Sequence, residues 1–210
     1  MVEGETVRAL ILTILLGVGL STIAQARAAP SDDWGDVPVP ASATVRLGRD
    51  ARGNETREIT YAGGVVARQW RDGSGKPQTM VEDRSGHGAV LCLREIYIGL
   101  REDLDICRQD GDDALRRVMD EGLDRIDDFV VANSLTPITK DALRATEETR
   151  LKKQRDAAAL RGPEAQAKIC GGGDAQRMLG GLRSASLDKL RAELAAALSV
   201  PRPPVSNPCL

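Results

Sequence analysis

From Asp112 to Asn133 the apolar residues of this chain recur at steps of three and four: Leu115, Val118, Met119, Gly122, Leu123, Ile126, Phe129 and Val130. That period draws a stripe down one side of a helix, with Arg116, Arg117, Asp120, Glu121, Asp124, Asp127 and Asp128 on the other. A lone helix cannot bury such a stripe, so its neighbours must cover it, and mid-stripe Leu123 and Ile126 are expected in the core. A second stripe precedes it. Leu93, Ile96, Tyr97, Leu100, Leu104 and Cys107 predict a helix of roughly 16 residues beginning near Cys92. Arg108-Gln109-Asp110-Gly111 breaks it, and Asp110 or Asp112 can cap the central helix, which Asn133-Ser134 ends.

The remaining helices are weaker. Thr136-Pro137 predicts the start of a third one, running to about Leu160, with proline where no first-turn N–H is needed. Its apolar positions (Ile138, Ala142, Leu143, Ala145, Leu151, Ala158) form a poor stripe, which places it on the surface. Local pairs are expected from Glu148 to Lys152, Asp141 to Arg144 and Glu147 to Arg150. Its basic end, Lys152, Lys153 and Arg155, could meet an acidic partner. Gly162-Pro163 opens a short helix to Cys170, Gly171 to Gly173 interrupt it, and Asp174 caps a piece holding Met178, Leu179 and Leu182. Ser184 or Ser186 caps the last helix, striped by Leu187, Leu190, Leu194, Ala197 and Leu198. The tail, PRPPVSNPCL, cannot be helical.

Upstream the period is different. Gly53, Gly64, Gly75 and Gly86 fall at intervals of 11, and three of them close an Asp-x-x-Gly unit beginning at Asp50, Asp72 or Asp83. Aspartate first and glycine fourth is type I turn chemistry, with the glycine free to take the positive φ of a hairpin bulge. The fourth unit reads Tyr61-Ala62-Gly63-Gly64. β-Prone segments lie between the turns: Thr44 to Leu47, Glu55 to Thr60, Val65 to Trp70 and Gln78 to Val81. A meander of four or five short antiparallel strands is expected. Over roughly the span Asp50 to Gly86 the spacing resembles the tyrosine-aspartate repeats of large bacterial surface proteins, a likeness of turn chemistry that any meander shares.

The chain therefore divides into a signal peptide (1–28), an extended linker (29–42), the β-meander (43–90), a helical bundle (91–200) and the proline-rich tail (201–210). The signal reading rests on Arg8, the apolar run Ala9 to Ile23, and the small-x-small sites that end at Ala26 and Ala28. The run holds about 15 residues against the ~20 that span a bilayer, so no stable membrane span is expected after cleavage. Glu3 and Glu5 are unusual there, and a start at Val7 would leave an ordinary basic leader. The linker holds three prolines, and its Trp34 could pack onto the domain.

Composition narrows the function. With 29 Lys+Arg against 31 Asp+Glu and 2% aromatic residues, there is neither the basic footprint nor the stacking platform of a nucleic-acid binder. Few aromatics also mean a thin aliphatic core that covalent ties would help. Cys92, Cys107, Cys170 and Cys209 read as two disulfides in an exported chain. Cys92 and Cys107 sit at opposite ends of one predicted helix, roughly 22 Å apart, far beyond the ~7 Å between bridged Cα atoms. If the first three helices run up, down and up, Cys107 meets Cys170, and Cys209 is left for Cys92. With one histidine and no C-x-x-C spacing, neither a zinc site nor a redox motif is expected, and no cofactor is implied.

Three clusters could carry chemistry. His87 lies within Asp83-Arg84-Ser85-Gly86-His87-Gly88, which holds the residue types of a hydrolytic triad, but in one tight turn. The Gly171–Gly173 run before Asp174 could offer backbone N–H groups to an anion, aided by Lys168 and Arg177, but lacks the Gly-Lys-Ser/Thr of a P-loop. Asp103, Asp105, Asp110, Asp112 and Asp113 suggest a cation site, yet an EF-hand frame with Gly111 sixth puts Ile106 first. A turn, a helix break and caps explain all three. The sequence points to an exported α+β protein, periplasmic or secreted, with a non-enzymatic interaction or structural role beside an envelope protein partner. The alternative is a small periplasmic hydrolase using His87.

Overall fold

The computed structural model describes residues 34, 35 and 37–209, without the side chains of residues 154, 157–161, 163, 165, 166, 168, 169 and 173–175. The expected signal segment 1–28, its cleavage sites and the first part of the linker lie outside the described residues. The architecture is α+β, a four-stranded antiparallel sheet followed by five helices.

The strands follow one another in space as in sequence: β1 (Thr44–Arg49), β2 (Glu55–Thr60), β3 (Val65–Arg71) and β4 (Pro77–Asp83). Two of the aspartate-glycine units make the hairpins. Asp50 accepts from the N–H groups of Arg52 and Asn54 at 2.8 and 2.9 Å, while Gly53, at φ +83°, donates to the Asp50 carbonyl. Asp72 repeats this with Ser74, Lys76 and Gly75. The third unit keeps its letters but makes no hairpin. Ser85 N–H still reaches Asp83, but Arg84 N–H turns to the Gly64 carbonyl and the chain leaves for the helices. Between β2 and β3 runs a short 3₁₀ turn, Ala62–Gly64. A Cβ on Gly63 would collide with the Pro201 carbonyl and Arg202, so the glycine lets the tail cross there.

One sheet face buries Ile59, Tyr61, Val65 and Ala67, with Val37, Ala43, Val81 and Val205 packed around them. The linker end thus belongs to the domain: Trp34 accepts from Gln69 Nε2 through its carbonyl, and the Arg71 guanidinium stacks 5.2 Å from its ring.

The helices are α1 (Val90–Ile106), α2 (Asp113–Asn133), α3 (Lys140–Gly171), α4 (Gly173–Ser184) and α5 (Leu187–Ala197). The predicted stripe of α2 forms the core, with Leu115, Val118, Met119, Ile126, Phe129 and Val130 buried against Tyr97, Leu100 and Leu104 of α1. Where α1 and α2 meet, Gly122 faces the Tyr97 ring, and a Cβ there would overlap it. The ring can lie against α2 because that position is glycine.

Several expectations are corrected. Leu123 is only half-buried, because it faces a cleft between α1, α2 and α3. Asp127, assigned to the polar face, is 2% exposed: Arg94 of α1 donates to it at 2.7 Å and to Glu147 of α3 at 2.8 Å, bridging three helices. α3 starts at Lys140, because Thr139 caps it by accepting from Ala142 N–H. Its cations mostly reach across to α2 and α1 instead of along the helix: Lys140 to Asp124 and Asp128, Arg144 to Asp124, Arg150 to Glu95. Lys152 pairs with Asp156, not with Glu148. The break expected at Gly162-Pro163 is present: Gly162 takes a non-helical φ of +77°, and α3 is two helical stretches joined across that kink.

Cys92 is bonded to Cys209 and Cys107 to Cys170, with Cα separations of 5.2 and 5.3 Å. The tail after α5 is strapped across both layers. Arg202, fully buried, donates to Asp83 at 2.6 Å, to the carbonyls of Gly88, Ala197 and Val200, and stacks on Phe129. Val205 O accepts from Leu91 N–H, and Asn207 O from Asp83 N–H. Among the described residues no helix is long and apolar enough to cross a membrane.

Candidate interaction surface

The first strand of a meander has one neighbour, so among the described residues β1 leaves an edge open. Which backbone groups point outward follows from the turn. Asp50 and Asn54 bond to each other through Asp50 N–H, and antiparallel pairs alternate between bonded and non-bonded. With Arg49 opposite Glu55 and Leu47 opposite Arg57, the residues that bond to β2 are Thr44, Arg46 and Gly48. Val45, Leu47 and Arg49 therefore turn their N–H and C=O groups to the open side. The same count at Asp72 and Lys76 sends Asp83 N–H outward from β4, where it meets the Asn207 carbonyl at 2.7 Å. The two edges differ. β4 begins with Pro77, which has no N–H, and ends under the tail; β1 has neither guard.

All six β1 residues are exposed. Leu47 is 69% exposed and Val45 40%, on the face that carries Ile59 and Ala67 inward from the edge. On the opposite face Arg46 stands across from Glu58, whose carboxylate is held by Arg68 at 2.9 Å. A shallow cleft of about 510 Å³ opens beside them, lined by Arg46, Leu47, Arg68, Trp70 and Met80. The sequence reading missed this edge, although the Val-Arg-Leu alternation at the head of a meander is its signal.

The other candidates are absorbed by structure. His87 Nδ1 donates to the Ala196 carbonyl at 3.1 Å, Ser85 Oγ accepts from His87 N–H, and Asp83 is held by Arg202. These three residues share a turn and bond within it, Ser85 to both Asp83 and His87, while the Asp83 carboxylate and the His87 ring are also engaged by Arg202 and Ala196. In the acidic run, Asp112 accepts from Arg183 and from Gln109 N–H; the Arg183 hydrogen bond leads in holding its carboxyl below the ordinary range despite burial. Asp105 and Asp113 pair with arginines, and burial pushes the Asp103 carboxyl up. Among the described residues no group of three or more His, Cys, Asp or Glu is placed to hold a metal ion. At the glycine run Gly172 is extended and Gly173 begins α4, while the side chains of Lys168 and Asp174 lie outside the described residues. Arg155, expected at the basic end of the third helix, lies midway along α3 and lines the α1–α2–α3 cleft with Glu102, whose carboxyl is raised by burial and by neighbouring Asp103. No known protein family, curated protein or solved structure matches this chain.

Proposed function

We propose that this chain is an exported, disulfide-locked interaction module of the cell envelope, periplasmic or secreted, that offers the β1 edge to a protein partner. The observation that carries the reading is the open edge itself: outward amides at Val45, Leu47 and Arg49, with Leu47 mostly exposed. A long exposed edge invites pairing and is normally blunted, so a protein that guards one edge and leaves the other open has a use for the open one. Two disulfides fit an oxidising compartment. The reading rests on the edge and not on His87, whose ring is engaged by Ala196.

The test has two parts. Intact mass of the protein recovered outside the cytoplasm is expected to show a chain starting at Ala29 or Arg27. A photo-crosslinking residue placed at Leu47 is expected to give adducts in living cells that the same residue at Arg117, exposed on α2, does not. A chain that stays in the cytoplasm, or equal crosslinking at both positions, defeats the reading.

A further inference from the structure

We propose that the β1 edge accepts an added antiparallel strand whose side chains alternate apolar, acidic, apolar, so that the sheet gains a fifth strand. The proposal rests on the interaction-module reading above and names the chemistry of its partner. The rows of side chains that cross the sheet decide that chemistry. One row runs Val81, Ala67, Ile59, Val45, and the next runs Thr79, Gln69, Arg57, Leu47; both end at the edge on an exposed apolar residue. On the other face a row runs Arg68, Glu58, Arg46, alternating in charge, and Glu58 is already taken by Arg68. Arg46 is thus the unmatched end of a charge ladder. A residue opposite Arg46 on an added strand continues the ladder if it is acidic, and its two neighbours fall opposite Val45 and Leu47.

The backbone sets the same frame. Val45, Leu47 and Arg49 turn their N–H and C=O groups outward, so each forms a bonded pair with the incoming strand and Arg46 sits in the closer, non-bonded pair. Side chains approach most nearly in that pair, where a charge match counts most. A second copy of this chain is the poorer occupant in the register that sets its two apolar residues against each other. In the antiparallel arrangement that sets Val45 against Leu47 of another copy, Arg46 faces Arg46, and like charges directly opposite are unfavourable. The same arginine disfavours that self-pairing and favours an acidic strand.

The test uses the full disulfide-bonded chain and a labelled peptide of alternating valine and glutamate, with a valine–lysine peptide as counterpart. Fluorescence anisotropy at low salt is expected to show the glutamate peptide binding about tenfold tighter. Its binding is expected to slow amide hydrogen exchange at Val45, Leu47 and Arg49. Arg46→Glu reverses the preference between the two peptides. Leu47→Pro removes an outward N–H that β2 does not use, so it abolishes binding while the circular dichroism spectrum is kept. Equal binding of both peptides, slowed exchange at β4 instead, or a β1-dependent dimer in sedimentation overturns the proposal. Crosslinking from Leu47 in cells without peptide binding sinks the acidic-strand chemistry and leaves the interaction module standing; failure of both removes the two together.

Discussion

Arg202 is the test of how the two layers are held together. Its side chain is fully buried and makes hydrogen bonds to Asp83 and to three backbone carbonyls, while its guanidinium stacks 5.5 Å from the Phe129 ring centre. Arg202→Met keeps most of the length and the bulk but removes the charge. It leaves Asp83, itself 7% exposed, with no counter-ion and strands three carbonyls. Breaking a buried pair from one side costs about 3–5 kcal/mol, mostly the burden of the orphaned charge. The double variant Arg202→Met/Asp83→Asn is expected to lose less than the sum of the two single changes, because the orphan is then neutral.

Acid is a second probe of the same pair. Burial alone would raise the Asp83 carboxyl, but the hydrogen bonds from Arg202 and Ser85, with the arginine's charge, outweigh it and hold the group below its ordinary 3.8. The folded state therefore binds this proton less readily than the unfolded chain does. The stabilisation is present in full above 3.8 and is lost as pH falls through the lowered folded value. Urea melts of the oxidised protein, followed by far-UV circular dichroism from neutral pH into acid, measure both effects. An Arg202→Met chain within about 1 kcal/mol of the parent at neutral pH would refute the reasoning.

Other outcomes follow from packing. Ile126→Ala, at a fully buried site, is expected to cost about 2–5 kcal/mol, Leu123→Ala less, and Arg117→Ala within about 0.5 kcal/mol, all read from denaturant midpoints. Gly122→Ala drives a methyl group into the Tyr97 ring and is expected to cost about 1–3 kcal/mol, with Tyr97→Leu restoring part of the loss in the same melts. Removing Cys107–Cys170 by paired serine substitution is expected to cost about 4 kcal/mol in the chain-entropy account, for a separation of 63 residues. A calorimetric melting point unchanged by that substitution would count against it.

What could be read in the sequence was local. The α2 stripe is a repeat of period near 3.6, and the Asp50 and Asp72 turns are written in four adjacent residues. Asp127 shows the limit, since its burial depends on Arg94, which arrives from 33 residues away and has no periodic mark. Thr139 outcompeted Pro137 as the helix start because its hydroxyl meets an N–H that proline leaves unserved. The cysteine pairing in the structure obeys the helical rise that separates Cys92 from Cys107. Arg202 was not legible at all: in a proline-rich run, nothing distinguishes a buried arginine from a solvated one. The open edge was legible in principle, because a meander's order alone makes its first strand an edge, but alternation over three residues is a faint mark.

The strap formed by residues 201–209 also sets an order of events. Everything it fastens, the β2–β3 turn, Asp83, the start of α1 and the end of α5, is synthesised before it. Until Arg202 leaves the ribosome, Asp83 has no counter-ion, and until Cys209 follows, Cys92 has no partner. The nascent chain thus holds a sheet and a set of helices that cannot yet be locked to one another, with contacts of long sequence separation formed last.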